Sequence, residues 1–401
     1  AIKAAWGRYL YGQGGGAARN VDPSTAITTQ ASRSWNDANH NYVPDCNLAN
    51  FTANGECGAL NNTNFGQSTP LLSYSPNASQ GWFNREYNYQ TSIQLQQELR
   101  PGVGLAVGYF HTSWGNLTVI QNLTDPTAAN FNNLCVTAPS DPLLGSVSGQ
   151  QVCGYYAPKT FAAPTYQIGK ATDLGLGTPT ESYNGVDIGF NARWGKGALV
   201  QGGVSIGRET VDFCYANGHP ELSPANIPGV FIYGGAIYGF PVYPQGTTNG
   251  TSYCHITSSW WDGIGSQAKL QAVYPLPLDF QVSGTFKTLP GIPITATQYS
   301  FQPQGATLQY GFLPAALIPN AAAGAAIGTQ FDSRLYETDL RLTKAIKRGS
   351  TRILGIVDLY NAFNNRVSQA NLGTIGTPGA FLTPTQLLGG RLLKLGAQVT
   401  F

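Results

Sequence analysis

The sequence has 401 residues, of which 10% are charged, 11% are aromatic and 49 are glycine, and this composition is not typical of a soluble domain. The 22 basic and 20 acidic residues give a net charge of +2, so charge alone attracts no nucleic acid and we expect no nucleic-acid partner. No apolar run reaches the roughly 18 residues that a helical membrane span needs.

Strand-like segments follow one another along the chain, with apolar residues at alternate positions. About ten strands are predicted from this pattern. They lie at residues 2–11, 86–99, 103–120, 183–194, 198–211, 265–274, 279–288, 335–346, 351–363 and 390–401.

The connections between these strands are of two kinds. Tight turns rich in turn formers lie at residues 100–102, 195–197, 275–277 and 347–349. Long connections lie at residues 13–85, 121–182, 212–264, 289–334 and 364–389. Short turns at one rim and long loops at the other are typical of a Gram-negative outer-membrane barrel, whose turns are periplasmic and whose loops are extracellular. The sequence therefore predicts an all-β, antiparallel transmembrane β-barrel with long extracellular loops.

Alternation within the strands separates an apolar set from a polar set, as expected for a wall between lipid and a watery lumen. Residues 87–96 show this pattern clearly. Glu337, Asp339 and Arg341 belong to the polar set of one strand, and we expect them to form a lumen ion-pair ladder rather than an acid/base pair. A soluble β-sandwich also alternates, but predicted strands of about 10 to 14 residues favour a membrane span.

Six cysteines lie in polar loop segments as three pairs of near neighbours. The predicted disulfides are Cys46 with Cys57, Cys135 with Cys153, and Cys214 with Cys254. Pairing neighbours closes the shortest loops, and disulfides indicate an oxidising compartment such as the periplasm or cell surface. The alternative is a set of reduced or metal-binding thiols, although no C-x-x-C motif occurs.

One loop segment has oxygen-bearing side chains at alternate positions, as at the start of a calcium-binding loop. These side chains are Asp37, Asn39, Asn41 and Asp45. A bridge between the first two cysteines would bring Glu56 close to them, but the central glycine of an EF-hand is missing. The sequence leaves two interpretations open, a Ca²⁺ site and a solvated loop of Asx turns, and suggests no other cofactor.

No catalytic cluster is recognisable, and we expect no enzyme activity. Ser205 lies in a G-x-S-x-G match, but inside a predicted strand, whereas a nucleophile elbow needs a strand-to-helix turn. The four histidines show no i, i+4 pairing. Several aromatic loop residues could either stack on a sugar or siderophore or pack the loops together. They are Phe231, Tyr233, Tyr238, Tyr243, Trp260 and Trp261.

The chain ends with apolar residues at every second position counting back from a terminal phenylalanine. The positions are Leu393, Leu395, Val399 and Phe401, together with an alanine. This ending resembles the terminal signal that the outer-membrane assembly machinery reads. It implies that this machinery and outer-membrane lipid are partners.

Four segments resemble the late barrel strands of TonB-dependent receptors, of the acidobacterial type that carries a carboxypeptidase-regulatory-like N-terminal domain. They are residues 87–116, 183–208, 270–294 and 334–365. Residues 358–364 (DLYNAFN) are similar to the N-L-F-N signature of the penultimate strand in this family. The resemblance implies a barrel of roughly 22 strands, of which residues 1–401 would be the C-terminal portion, with the plug domain, the TonB box and the early strands absent from this chain.

The resemblance also implies a function. Extracellular loops would capture a scarce ligand, such as a siderophore or an oligosaccharide. The energised inner-membrane TonB complex would then drive its release inward, and the C-terminus would be periplasmic. The alternative is a structural or adhesive surface protein that displays disulfide-stapled loops without transport. A small outer-membrane enzyme is a third, less favoured interpretation.

Overall fold

The fold is described from a computed structural model of the protein. The described residues are 1–12, 22, 24, 27–68, 72–82, 84–137, 140, 149, 151–159, 165–195, 197–212, 214–216, 218–224, 232–233, 236–237, 255–257, 259–261, 266–292, 299–301, 308–311, 332–371 and 382–401. No helix in these ranges is long and apolar enough to cross a membrane.

The main sheet contains ten antiparallel strands, each paired with the next one along the chain. They are β1 Ile2–Leu10, β2 Tyr87–Arg100, β3 Val103–Gly115, β4 Thr180–Trp194, β5 Ala198–Asp212, β6 Gln267–Leu276, β7 Phe280–Leu289, β8 Leu335–Arg348, β9 Thr351–Tyr360 and β10 Leu392–Thr400. The short strand His255–Thr257 adds to the end of β5. The all-β class and the ten antiparallel strands are confirmed. Among the described residues the sheet is not closed, and β1 and β10 are its edges.

The short turns follow from backbone conformations that few residues adopt. Gly102 has a φ of +83°, and a Cβ there would lie 2.6 Å from the carbonyl oxygen of Arg193, so glycine is required. The turn predicted at 275–277 lies two residues later, because β6 continues to Leu276. Leu278 and Asp279 then take φ values of 63° and 59°, and this left-handed pair reverses the chain.

The third predicted strand, at 103–120, is wrong in its extent. β3 ends at Gly115, because Asn116 has a φ of 54° and turns the chain away from the main sheet. Asparagine tolerates this conformation, and here its Nδ2 donates to the carbonyl oxygen of Arg85 at 3.1 Å. The next strand, Thr118–Asn122, belongs to a different sheet.

One face of the main sheet is apolar across all ten strands, and we call it the apolar face. Residues directly opposite each other on neighbouring strands project to the same side. Two rows of cross-strand partners cross the sheet on this side, Leu95–Val107–Ile188–Val204–Ala268 and Tyr274–Val282–Leu342–Val357–Leu395. Within the described part of the chain no core covers these side chains, since Ile188 is 42% exposed and Leu395 is 72% exposed.

The opposite, polar face carries most of the ionised side chains of the strands, including every carboxylate except Asp212. The Nζ of Lys287 lies 2.8 Å from the Oε2 of Glu337, and Arg341 makes two hydrogen bonds to the carboxylate of Asp358, at 2.5 and 3.1 Å. Both pairs join residues that are cross-strand partners. The predicted ion pairs therefore run between neighbouring strands rather than along β8, and Asp339 instead accepts a backbone hydrogen bond.

A second, four-stranded sheet is built from the long connections, and we call it the small sheet. Its strands, in spatial order, are Leu222–Pro224, Thr118–Asn122, Tyr166–Lys170 and Leu72–Tyr74. Hairpins are formed by Phe131–Thr137 with Gln151–Pro158, Ile232–Tyr233 with Ala236–Ile237, Tyr299–Phe301 with Leu308–Gly311, and Ser368–Asn371 with Pro384–Leu387. The helical turns are Pro76–Ser79, Ala128–Asn130, Ala171–Leu174 and Cys214–Ala216. All these elements lie in connections at one end of the main sheet, the loop side. The other end is the turn side.

If the apolar face meets lipid, an arginine at its centre is costly. We expect Ile188→Arg to lower the free energy of unfolding by about 2–4 kcal/mol, because a guanidinium at mid-membrane loses its hydration. Chemical unfolding of the protein reconstituted in lipid vesicles measures this change.

The matched control is Ser205→Arg, which adds the same charge to the polar face opposite Asp187. Its effect should stay within roughly 0.5 kcal/mol. Equal effects of the two substitutions would contradict the assignment of the faces.

Candidate functional site

The best-packed part of the chain is the small sheet rather than the main sheet. Successive residues of its second strand project to opposite sides, and both sides are covered. Val119, 1% exposed, packs with Ala171 and Leu222 on one side. Ile120, 1% exposed, packs with Tyr166 and Ile168 on the other. Such packing joins these segments of the first three long connections into one defined surface.

Hydrogen bonds fasten the small sheet to the start of β2. The Oε1 of Glu86 accepts from both the backbone nitrogen and the hydroxyl of Thr118, at 2.9 and 2.6 Å. The Nζ of Lys170 donates to Asn84 at 2.7 Å. The small sheet is thereby held over the loop side of the first strands.

Buried polar groups fix the third long connection to the small sheet. The backbone nitrogen of Asn122 donates to the carbonyl oxygen of Glu221 at 2.9 Å, and the carboxylate of Glu221, 8% exposed, contacts the Nδ1 of His219 at 2.9 Å. Nearby, burial and the negative charge of Asp125 raise the pKa of Tyr166 to about 12. The Tyr166 phenol therefore stays neutral at physiological pH.

The first long connection is closed by the disulfide between Cys46 and Cys57, whose Cα atoms are 5.8 Å apart. This predicted bridge is confirmed. It also brings Glu56 to the segment before it, as the sequence suggested. The side chain of Glu56 accepts from the backbone nitrogen of Ala38 at 2.8 Å and from the indole of Trp35 at 3.2 Å.

Glu56 accepts three hydrogen bonds within this loop. Burial opposes its ionisation, but the hydrogen bonds from Ala38, Trp35 and Asp45 outweigh burial and hold the pKa of Glu56 below its ordinary value of 4.5. Each of these donors bonds to the charged form. The loop is therefore held in place by a group that is ionised at physiological pH.

The four predicted calcium ligands lie together in this loop, but their oxygens already accept hydrogen bonds. Asp37 accepts from the backbone nitrogens of Asn41 and Tyr42, at 3.1 and 3.0 Å. Asn39 and Asn41 each donate from Nδ2 to Asp45, at 2.5 and 3.0 Å. This is an Asx-turn arrangement, the second interpretation that the sequence left open. Among the described residues no group of three His, Cys, Asp or Glu side chains could hold a metal, and calcium binding stays a prediction.

The structure describes the other four cysteines only in part. Cys135 and Cys153 are cross-strand partners in the hairpin of the second long connection, as a bridge between them would require. Cys214 is in a disulfide, and its predicted partner, Cys254, lies outside the described residues. These two pairings stay predictions.

The aromatic candidates fall mostly outside the described part of the chain. Phe231, Tyr238 and Tyr243 are not described, and only the backbone of Tyr233 is. Trp260 and Trp261 are 43% and 37% exposed. The guanidinium of Arg334 lies 4.0 Å from the centre of the Trp261 ring and also bonds to the Trp261 carbonyl oxygen, so this tryptophan packs the loop side at the start of β8.

Ser205 lies inside β5, opposite Asp187 and Gln267. The strand-to-helix turn of a nucleophile elbow is absent at this position. The Nδ1 of His255 contacts Asp212 at 2.9 Å, and the Nδ1 of His111 contacts Asn184 at 2.9 Å. Each of these imidazoles is oriented by an oxygen, and the Nε2 of His255 also lies 3.5 Å from the hydroxyl of Thr257.

The DLYNAFN stretch has a structural role centred on Asn361, which is 4% exposed and has a φ of 45°. Its backbone nitrogen donates to Asp339 on β8 at 2.9 Å. Its Nδ2 donates to the carbonyl oxygens of Asn365 and Gly389, at 3.0 and 2.9 Å. One asparagine thus joins the ends of β8 and β9 to the segment that leads into β10.

The predicted assembly signal lies on β10, which pairs with β9 along its whole length. Leu393, Leu395 and Val399 project from the apolar face, and Phe401 is 94% exposed. Recognition by the assembly machinery stays a prediction.

The sequence matches no family model and no curated protein. Among solved structures, the chain is similar to a chain in the FpvAI–pyocin S2 complex, with 12% identity and a TM-score of 0.33, over 78% of this chain and 26% of that one. It is also similar to the deltaS2 mutant of TodX, a monoaromatic hydrocarbon channel, with 9% identity and a TM-score of 0.22, over 79% of this chain and 61% of that one. This chain therefore spans less than two thirds of either structure, and likenesses this weak assign no function.

Lowering the pH should loosen the disulfide-closed loop. Because the pKa of Glu56 lies below its ordinary 4.5 in the folded protein, its stabilisation is present above that ordinary value and is lost as the pH falls through the folded pKa. Hydrogen exchange of residues 35–57, corrected for the intrinsic rate at each pH, should show less protection at pH 3 than at pH 7.

Glu56→Gln should lower protection already at pH 7 and remove most of the pH dependence. Glu98→Gln removes the same charge at the turn side and should leave the loop unchanged. Equal protection of the native loop at both pH values would contradict the role of Glu56.

Truncation of the small-sheet core should act locally. We expect Ile120→Ala to lower the stability of the small sheet by about 2–5 kcal/mol, because it leaves a cavity between two covered layers. Hydrogen exchange at Tyr166–Lys170 should accelerate while β8 and β9 keep their protection. Ile93→Ala, at a position 55% exposed on the apolar face, is the control. Uniform acceleration through both sheets would show that they unfold as one unit.

Proposed function

We propose that this chain forms part of the wall and the loop surface of an outer-membrane receptor, a non-enzymatic protein that takes up a scarce ligand from outside the cell. The short turns then face the periplasm, the long connections face the medium, and the C-terminus is periplasmic. The ligand class is a siderophore, an oligosaccharide or a similar small molecule.

The observation that carries the proposal is the apolar face, which keeps its register through ten neighbouring strands. A soluble sheet with these exposed rows would expose far more contiguous apolar surface than soluble proteins tolerate. Lipid is the solvent that suits such a surface, and strands paired on both sides satisfy their backbone groups within it.

Recognition at the loop side is supported by the order of the long connections. The small sheet combines strands from three of them around two buried clusters. A packed scaffold presents binding residues with less loss of conformational freedom than separate flexible loops would. Such a surface suits ligand capture before transport.

The transport step and its TonB-supplied energy rest on the sequence resemblance of the late strands. The alternative, a surface protein that only displays its loops, is favoured by one observation. The disulfide-closed loop exposes Tyr42 by 85% and Leu48 by 66%, a surface that could adhere to another molecule without any transport.

Uptake and surface display are separated by an energy-dependence experiment. Ligands that raise the thermal stability of the purified protein are first selected from siderophore and oligosaccharide panels. Cells that express the native protein are then given the labelled ligand with and without a protonophore. We expect binding in both conditions but internal accumulation in the energised cells alone. Binding without accumulation in energised cells would favour the display protein and overturn the transport proposal.

A further inference from the structure

A cavity of about 360 Å³ opens at the loop side, where β1 ends and β2 begins. Leu10, Gly81, Trp82 and Arg85 line it. Trp82 is 90% exposed and Leu10 is 51% exposed, so the opening combines a free indole with aliphatic surface. Its volume is in the range of ordinary small-molecule sites, about 300–1,000 Å³.

One guanidinium group, that of Arg85, lines this opening, and a second, that of Arg8, lies on the neighbouring strand. Arg85 donates from Nη2 to the carbonyl oxygen of Tyr11 at 2.6 Å, while its buried Nε has no hydrogen-bond partner among the described residues. Arg8 lies on the apolar face of β1, and its Cζ is 3.7 Å from the centre of the Tyr87 ring. Leu10 and Tyr87 are cross-strand partners, so both arginines belong to the same corner of the sheet.

The charged side chains on the apolar face near this corner are basic. In the ten strands every carboxylate projects from the polar face except Asp212, the last residue of β5, which contacts His255 at 2.9 Å. The apolar face carries arginines towards its ends, including Arg8 and Arg208 on the loop side. The nearest carboxylate to the cavity in sequence, Glu86, is turned towards Thr118.

The geometry points to a binding site for the phosphate-bearing headgroup of an outer-leaflet lipid, held by Arg8 and Arg85 and covered by Trp82. This inference rests on the proposed function, because it takes the loop side to be the outer membrane surface. Guanidinium groups bind phosphate oxygens through paired, charge-assisted hydrogen bonds. Tryptophan favours the interface between headgroups and acyl chains.

A lipid fits the site better than a soluble anion does. Below Arg8 on the same face lies Trp6, 71% exposed and stacked on Tyr89 at 5.3 Å between ring centres. Acyl chains of a bound lipid would cover these rings, whereas a soluble phosphate would leave them bare. Charge and apolar surface are thus arranged one above the other, in the order in which a membrane lipid presents its phosphate and its chains.

The test is a binding titration of the full chain, refolded in neutral detergent, with diphosphorylated lipid A as the probe. We expect saturable binding, at least ten-fold weaker binding of the fully dephosphorylated lipid, and no competition by millimolar inorganic phosphate. Arg8→Ala and Arg85→Ala should each weaken binding about ten-fold, the loss expected for a hydrogen bond to a charged group. Arg352→Ala, at the turn-side start of β9 on the polar face, should bind as the native chain does.

Trp82→Ala tests the site with little risk of misfolding, because a side chain that is 90% exposed contributes little to the stability of the fold. It should weaken lipid binding at least three-fold while heat-modifiability on a gel is unchanged. Equal affinity for the phosphorylated and dephosphorylated lipids would overturn the inference, as would full competition by free phosphate. A chain that folds into vesicles but binds no lipid A overturns this inference alone. A chain that enters vesicles with its apolar face open to a water-soluble quencher overturns the proposed function as well.

Discussion

The architecture depends on strict two-residue alternation that stays in register from one strand to the next. Side chains of a strand point alternately to opposite faces, so a one-residue slip between two strands would exchange apolar and polar side chains across the sheet. Here the cross-strand partners keep apolar opposite apolar from Leu95 on β2 to Ala268 on β6, and from Tyr274 on β6 to Leu395 on β10. The separation of an apolar face from a polar face follows from that register. So does the meeting of opposite charges on the polar face, as between Arg341 and Asp358.

Burial is distributed unusually, because the main sheet has no apolar core of its own among the described residues. The apolar side chains with the least exposure among the described residues, Val119, Ile120 and Ala171, belong to the small sheet and its surroundings. Since water is the solvent for those residues, the small sheet is stabilised by ordinary hydrophobic burial. The main sheet is stabilised instead by paired backbones and by the solvent that covers its apolar face. The two sheets are thus stabilised in different ways. The hydrogen bonds of Glu86 to Thr118 join one sheet to the other.

The ten long strands could be predicted from the sequence because alternation over about ten residues is a local signal. The observed strand ends differ from the predicted ones by a few residues. For example, the left-handed conformations of Leu278 and Asp279 place the turn two residues later than the predicted turn at 275–277. The small sheet could not be predicted. Its strands have three to five residues, too few for periodicity, and their partners come from connections far apart in sequence. The adjacent apolar residues Val119 and Ile120 were the one available signal, but the prediction assigned them to the end of the preceding strand.

Around the candidate site, proximity in sequence decided what could be foreseen. The contact of Glu56 with the segment before Cys46 followed from closing a short loop. The cavity between Trp82 and Leu10 joins positions more than 70 residues apart in the chain, so no pattern in either segment predicted it. The DLYNAFN stretch was singled out by resemblance, and the hydrogen bonds of its Asn361 to β8 and to the segment before β10 supply the physical reason for an asparagine at that turn.

The proposed function requires the apolar face to meet lipid and the polar face to meet water. It is tested most directly by placing a fluorescent amino acid at each position of β8 in vesicles and measuring quenching by a lipid-soluble and a water-soluble quencher. We expect lipid access at Tyr336, Thr338, Leu340 and Leu342, alternating with water access at Glu337, Asp339, Arg341 and Thr343. Water access at both sets, or access without a two-residue period, would contradict it.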